Sequence, residues 1–182
     1  MTSIYEINSK DCDKIEVFVD LRNVIGGASE YSDISRIDFF GLLRHVIGRR
    51  RVVAVYAYDG LILENGVDRQ KGFHDYLSHM GMRLDLREIC NPNGIQKATD
   101  VAIASRMVAD ALNDHYDVAV LISGDGDFIP AVEMVQDCGK RVEVAAFSHC
   151  LSSVLSRNAD VVINLDPVPM LSMRSLDTEV EA

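Results

Sequence analysis

A chain of 182 residues can close one full hydrophobic core and is short for two. Its 48% hydrophobic and 25% charged residues are those of a soluble globular protein, and no apolar run reaches the roughly 20 residues a membrane span needs. The formal net charge of −10, from 18 Lys and Arg against 28 Asp and Glu, weighs against indiscriminate gripping of nucleic-acid phosphates. "MTSIYEINSKDCDK" lacks a basic segment followed by an apolar one, so no secretory signal is expected. Cys12, Cys90, Cys138 and Cys150 lie far apart without a CxxC pair. That spacing argues against structural zinc and fits reduced thiols in the cytoplasm.

The predicted elements alternate along the chain. "KIEVFVDL" (14–21) reads as a buried strand, and "DISRIDFFGLLRHVIGR" (33–49) has helical apolar spacing. "GRRR" (48–51), with Arg44 one turn earlier, is a candidate basic patch or a solvated helix end whose cations favour the dipole. "RVVAVYAYDG" (51–60) is a second strand, stopped by Asp59-Gly60 in a turn. A helix over 68–82 closes at Gly81, and "RLDLREI" (83–89) alternates as an edge strand does. A strong helix over 98–114 leads into the fourth strand, 116–125. A helix over 127–140 follows, with Pro130 in its first turn and Gly139 at its end. "RVEVAAF" (141–147), a helix in "HCLSSVLSRNA" and "DVVINL" (160–165) complete the order. The domain expected spans 14–166, with an N-terminal extension over 1–13 and a C-terminal tail over 167–182. The fold expected is α/β, a three-layer doubly wound and mostly parallel sheet of five to six strands, order 3-2-1-4-5.

"LISGDGDFIP" (121–130) then raises a chemical question, because Asp125 and Asp127 stand one residue apart where a buried strand ends. Right-handed crossovers put strand C-termini and helix N-termini on one sheet edge. Asp20 ends the first strand, Asp100 opens the helix before the fourth, and both belong on that edge. With the first and fourth strands adjacent, the four acids meet at the topological switch point. Taken singly, each has an ordinary reading. Asp127 reads as a helix N-cap, Asp100 as dipole compensation, Asn23 as an Asx-turn and Asp59 as a turn former. Convergence is what those readings leave unexplained. Clustered carboxylates repel unless cations intervene, and Mg²⁺ or Mn²⁺ suits oxygen ligands.

"VFVDLRN", "KATDVAIASRMVADA", "YDVAVLISGDGDFIPAVEMVQDCGKRVEVAAF" and "SSVLSRNADVVINL" resemble successive blocks of NYN domains, in particular the LabA-like branch of the PIN-like nuclease fold group. The most specific part is the SGDxDF block, Ser123 to Phe128. The resemblance implies divalent metal at Asp20, Asp100, Asp125 and Asp127 as the catalytic set. It implies substrate-side roles for Asn23, Ser123 and Lys97. Leu21 stands where the family often has Gly; the Arg22 beside it is read either as a phosphate ligand or as a partner for a carboxylate.

Three functions compete. The first is a metal-dependent endoribonuclease, with RNA as partner and Mg²⁺ or Mn²⁺ as cofactor. The second is a regulatory module of the same fold that binds RNA or protein and does little or no chemistry. A protein partner or a second copy of the chain are further candidates; a membrane is not. The third, a phosphatase of the haloacid dehalogenase type, wants an acid two residues after Asp20 and a GDGxxD pattern. The chain has Arg22 there, and Phe128 and Ile129 follow Asp127.

Overall fold

Alternation within the first strand sorts the molecule into two faces. In β1 (Lys14–Asp20), Ile15, Val17 and Val19 enter one apolar core while Phe18 enters the other. By the period of two, Glu16 and Asp20 point to the same side as Phe18. The computed structural model describes residues 13–29, 36–88, 95–168 and 170–171. After β1 come α1 (Leu21–Ala28), β2 (Arg36–Ile37), α2 (Phe39–Ile47), β3 (Arg51–Leu61), β4 (Leu63–Glu64) and β5 (Val67–Asp68). Next are α3 (Lys71–His79), β6 (Arg83–Glu88), α4 (Ile95–Leu112) and β7 (Val118–Ile122). A 3-10 turn (Gly126–Phe128) leads into α5 (Ile129–Asp137), β8 (Arg141–Ala146), α6 (Ser153–Asn158), β9 (Val161–Asn164) and β10 (Met170–Leu171).

The main sheet has six strands in the order β6-β3-β1-β7-β8-β9, all paired in parallel. Counted over these six strands, that is 3-2-1-4-5-6, and β1 lies beside β7 as the sequence required. Residues of α1, α2 and α3 (Leu21, Val24, Leu42, Leu43, Val46, Leu77) cover one face. Residues of α4, α5 and α6 (Ile103, Met107, Val132, Val135, Leu155) cover the other. The result is the three-layer α/β arrangement expected of a PIN-like or Rossmann-like domain.

Several local expectations are corrected. The second strand does not stop at Asp59-Gly60: β3 runs through both to Leu61, pairing Asp59 with Leu86 and Gly60 with Arg87 of β6. Asp59 is 2% exposed and ion-paired, so its role is not that of a turn former. The reversal falls later, at Asn65-Gly66, both with positive φ, between β4 and β5. That is the Asn-Gly hairpin chemistry. The helix expected from residue 33 begins at Phe39, because the Asp38 side chain accepts the Gly41 N–H and caps it. Residues 36–37 pair instead with Met170–Leu171 in a small antiparallel sheet. The helix expected from residue 127 starts as a 3-10 turn, with Pro130 in the first turn of α5 and Gly139 at φ +74° past its end. Within "GRRR", Arg50 is engaged: it donates to the Val46 and Ile47 carbonyls and to Glu143. The expected extension 1–13, but for its last residue, and most of the expected tail 167–182 lie outside the described residues, as do Cys12 and Cys90. Cys138 is a free thiol.

Candidate active site

The four acids reach the carboxyl-end edge of the sheet from the end of β1, the start of α4 and the loop after β7. Asp20 is the last residue of β1 and the N-cap of α1: its Oδ1 accepts the Asn23 N–H at 3.2 Å. Ser123, the first residue past β7, donates its hydroxyl to Asp20 Oδ2 at 3.1 Å. The Ser123 oxygen in turn accepts the Asp125 N–H at 3.2 Å, and Asp125 Oδ1 accepts the Asp127 N–H at 3.0 Å. Asn23 returns from α1 to accept the Gly124 N–H at 2.9 Å. One chain of bonds therefore stitches the end of β1 to the loop after β7. The cap of the turn at 126–128 is Asp125, not Asp127, whose side chain is left exposed.

The glycines of the "LISGDGDFIP" stretch serve packing. A Cβ at Gly124 would lie 2.4 Å from the Cys150 carbonyl oxygen, and one at Gly126 would lie 2.9 Å from Ser152 Oγ. The Ser152 N–H bonds Gly124 O at 2.9 Å. Only residues without side chains let the acidic loop lie against the 150–152 segment.

Asp100 arrives from the first turns of α4, half-buried, on the stripe that includes Ile103 and Met107. Its carboxyl is pushed up to about 6 by desolvation first, then by the negative charge of Asp20, Asp125 and Asp127. Asp20, 5% exposed, is also raised, mainly by burial, against the lowering effect of its bonds to Asn23 and Ser123. The four acids thus share one electrostatic neighbourhood. They do not share one tight donor shell. Among the described residues, the set whose ligand atoms lie within 4.8 Å of one another is Glu16, Asp110 and His115. An oxygen-only set at this spacing fits Mg²⁺ or Mn²⁺ better than zinc, since Mg²⁺ keeps several waters and takes only one or two carboxylates directly.

Arg22 makes an ion pair with Asp59 at 3.3 Å, a carboxylate outside the expected set of four. His74, 3% exposed, lies between Asp59 at 3.3 Å and Asp68 at 2.6 Å. This buried network ties the β4–β5 hairpin and α3 to the edge beside the aspartates. Nothing in the local sequence around Asp59 signals it. Lys97 has its backbone in the first turn of α4, and its side chain lies outside the described structure.

The Glu16, Asp110 and His115 set was not expected from the sequence. It sits at the other end of β1, about 13 Å from Asp20 at the usual strand rise. The one clue was a charged residue inside an apolar strand: Glu16 within "KIEVFV". Glu16 is 1% exposed, its Oε2 has no hydrogen-bond partner, and its carboxyl is pushed up to about 8. Burial is the main cause, followed by the hydrogen bond and charge of Asp110. Asp110 also holds Arg106 Nε at 2.5 Å, which already supplies a cation there.

No curated protein matches the chain significantly. A solved structure of a protein of unknown function from Vibrio parahaemolyticus is similar to it, with 28% identity and a TM-score of 0.74 over 90% of this chain and 99% of that one. The family model described as "NYN domain" matches residues 14–166, which take in all six strands of the main sheet and the four aspartates. By that match the chain belongs to the NYN domain family.

Proposed function

We propose that the protein is a metal-dependent endoribonuclease whose site is formed by Asp20, Asp100, Asp125 and Asp127. The observation that carries the reading is their convergence at the β1–β7 switch point, from β1, α4 and the loop after β7, with Ser123 bonded to two of them. Cap and turn residues with independent structural duties have no reason to meet at one point. In this reading Asp20, Asp125 and Asp127 hold the ion and Asp100 completes the set. A bound Mg²⁺ or Mn²⁺ supplies positive charge where a phosphodiester gains negative charge during hydrolysis. Ser123 fixes the Asp20 carboxylate, and Asn23 fixes the loop that carries Asp125. Arg22, exposed though paired with Asp59, and Lys97 at the start of α4 are the candidates for phosphate. The LabA-like branch fits the SGDxDF block.

A second reading, a regulatory module with little or no chemistry, is favoured by one specific observation: Asp20 and Asp125 already serve as caps, and the four acids stand apart. Turnover separates the two. Single-stranded RNA should be cut by wild type in Mn²⁺, and not by Asp20→Asn or Asp125→Asn. Equal residual cutting by all three proteins would mark a contaminant and leave the binding module ahead.

A further inference from the structure

On the α4 face, at the β6 edge of the sheet, lies a groove of about 840 Å³ that the acidic site does not use. Its wall on α4 is Ala98, Val101, Ala102, Ser105, Arg106 and Ala109, one stripe of mostly small side chains at helical spacing. Small residues there keep the helix from filling the space over the edge strand. The floor is Tyr56 and Tyr58 of β3 with Arg83, Asp85 and Arg87 of β6, which share a face by the period of two.

The charge of this groove runs against that of the molecule. Its lining has three arginines and one carboxylate, whereas the chain has 18 cations to 28 acids. Arg83, Arg87 and Arg106 are exposed, so their guanidinium groups reach solvent. All three are also held in place, and Arg87 pairs with Asp85, the one carboxylate of the lining, at 2.7 Å. Arg106 and Arg83 both donate to the Tyr56 hydroxyl, and Arg106 lies 4.5 Å from the centre of that ring. Asp110, buried and backed by Glu16, fixes Arg106 from beneath. The second acidic cluster thereby anchors a cation at the far end of the groove.

The groove opens on the same sheet edge as the acidic site, with Asp100 on the other side of α4. Ala98 in the first turn of α4 marks that end and Ala109 the other, about 16 Å apart at the helical rise. Arg83 and Arg87 are about 13 Å apart along the strand. A row of fixed guanidinium groups leading to the edge that carries the clustered carboxylates suits a phosphodiester backbone delivered to that edge.

We propose that this groove is the track for single-stranded RNA, with Arg83, Arg87 and Arg106 on its phosphates and the strand running along α4 towards the sheet edge that carries the acidic site. The inference rests on the ribonuclease reading for its substrate, but binding along the track needs no chemistry. A peptide adding a strand to the β6 edge is the competing occupant. Charged side chains on three alternate residues of β6 disfavour strand addition.

The test is binding of a short fluorescent oligouridylate in chelator, read by anisotropy across a salt series. Wild type should bind with a negative salt slope. Arg83→Gln with Arg87→Gln should weaken binding and reduce that slope by roughly 0.7 for each phosphate no longer neutralised. Arg106→Lys, which keeps charge but not the planar fork, should fall between the two. Circular dichroism excludes unfolding as the cause. A photoreactive uridine in the bound strand should crosslink to β6 and α4. An unchanged affinity and slope in the double variant would overturn the track, as would crosslinks confined to other elements or protection of the β6 edge by peptide in place of RNA. Binding along the track without any cutting in Mn²⁺ would leave the groove standing and sink the nuclease. Cutting that survives the arginine changes, with unchanged binding, would do the reverse.

Discussion

Asp20 carries two duties in one carboxylate, and they respond differently to substitution. As a cap it accepts the Asn23 N–H, and as a buried acid it takes the Ser123 hydroxyl beside the charge of Asp125. Asparagine keeps one acceptor and removes the charge, so in chelator Asp20→Asn should lie within about 0.5 kcal/mol of wild type by urea unfolding. Asp20→Ala leaves the donors of α1 and Ser123 without a partner and should cost about 1–2 kcal/mol. Equal losses for both would mean that the carboxylate is purely structural. Glu16 gives a matching prediction in pH. Its carboxyl titrates near 8 in the folded protein, facing Asp110, Arg106 and Arg83, and at its ordinary 4.5 when unfolded. Between those values the native state holds a proton that the unfolded chain has released. Stability contributed by the protonated group is therefore lost as pH rises from 4.5 through about 8. Glu16→Gln mimics the neutral form and should flatten that decline, with a higher urea midpoint than wild type at about pH 9. Parallel pH profiles for the two proteins would refute the assignment.

The element that the sequence concealed best is α1. "LRNVIGGA" has two consecutive glycines and two β-branched residues, which are poor helix formers. It forms because Asp20 caps it and because Leu21, Val24 and Ala28 are buried against the sheet. Tertiary packing overrode local propensity there, as it did where β3 ran on through Asp59-Gly60. The six main strands and their order were legible, because apolar runs in alternation with helices leave few topologies. The four aspartates were legible for the same reason: strand ends and helix starts fall on one edge by rule. How tightly they cluster was not, since that depends on side-chain contacts made across the fold. Nor was the Arg22–Asp59–His74–Asp68 network, whose members meet only in three dimensions. The acidic loop supplies the test at this scale. A methyl group at Gly124 meets the Cys150 carbonyl, which is backbone and cannot swing aside. Gly124→Ala should therefore destabilise by roughly 1–3 kcal/mol in denaturant unfolding. It should also weaken any metal response, because the loop must lift from the 150–152 segment. A fully stable variant would mean that the loop packs more loosely than the geometry has it.

Across the whole molecule, ten excess negative charges make any cation mildly stabilising, so a metal effect has to be separated from screening. A site that binds the native state alone adds RT ln(1 + [L]/Kd), about 2.7 kcal/mol at one hundred times Kd. For a chain of this size, each kcal/mol moves the thermal midpoint by roughly 2–4 °C. Screening depends on ionic strength and does not distinguish one aspartate from another. Mn²⁺ at millimolar concentration should raise the midpoint above a sodium control at equal ionic strength, and the gain should grow logarithmically with the ion. Asp125→Asn with Asp127→Asn should lose that excess while keeping the sodium response. Glu16→Gln should retain it, because Arg106 already neutralises the cluster at the opposite edge. If the excess followed Glu16 and not the Asp125–Asp127 pair, the ion would belong to the far end of β1, and the nuclease reading would lose its metal.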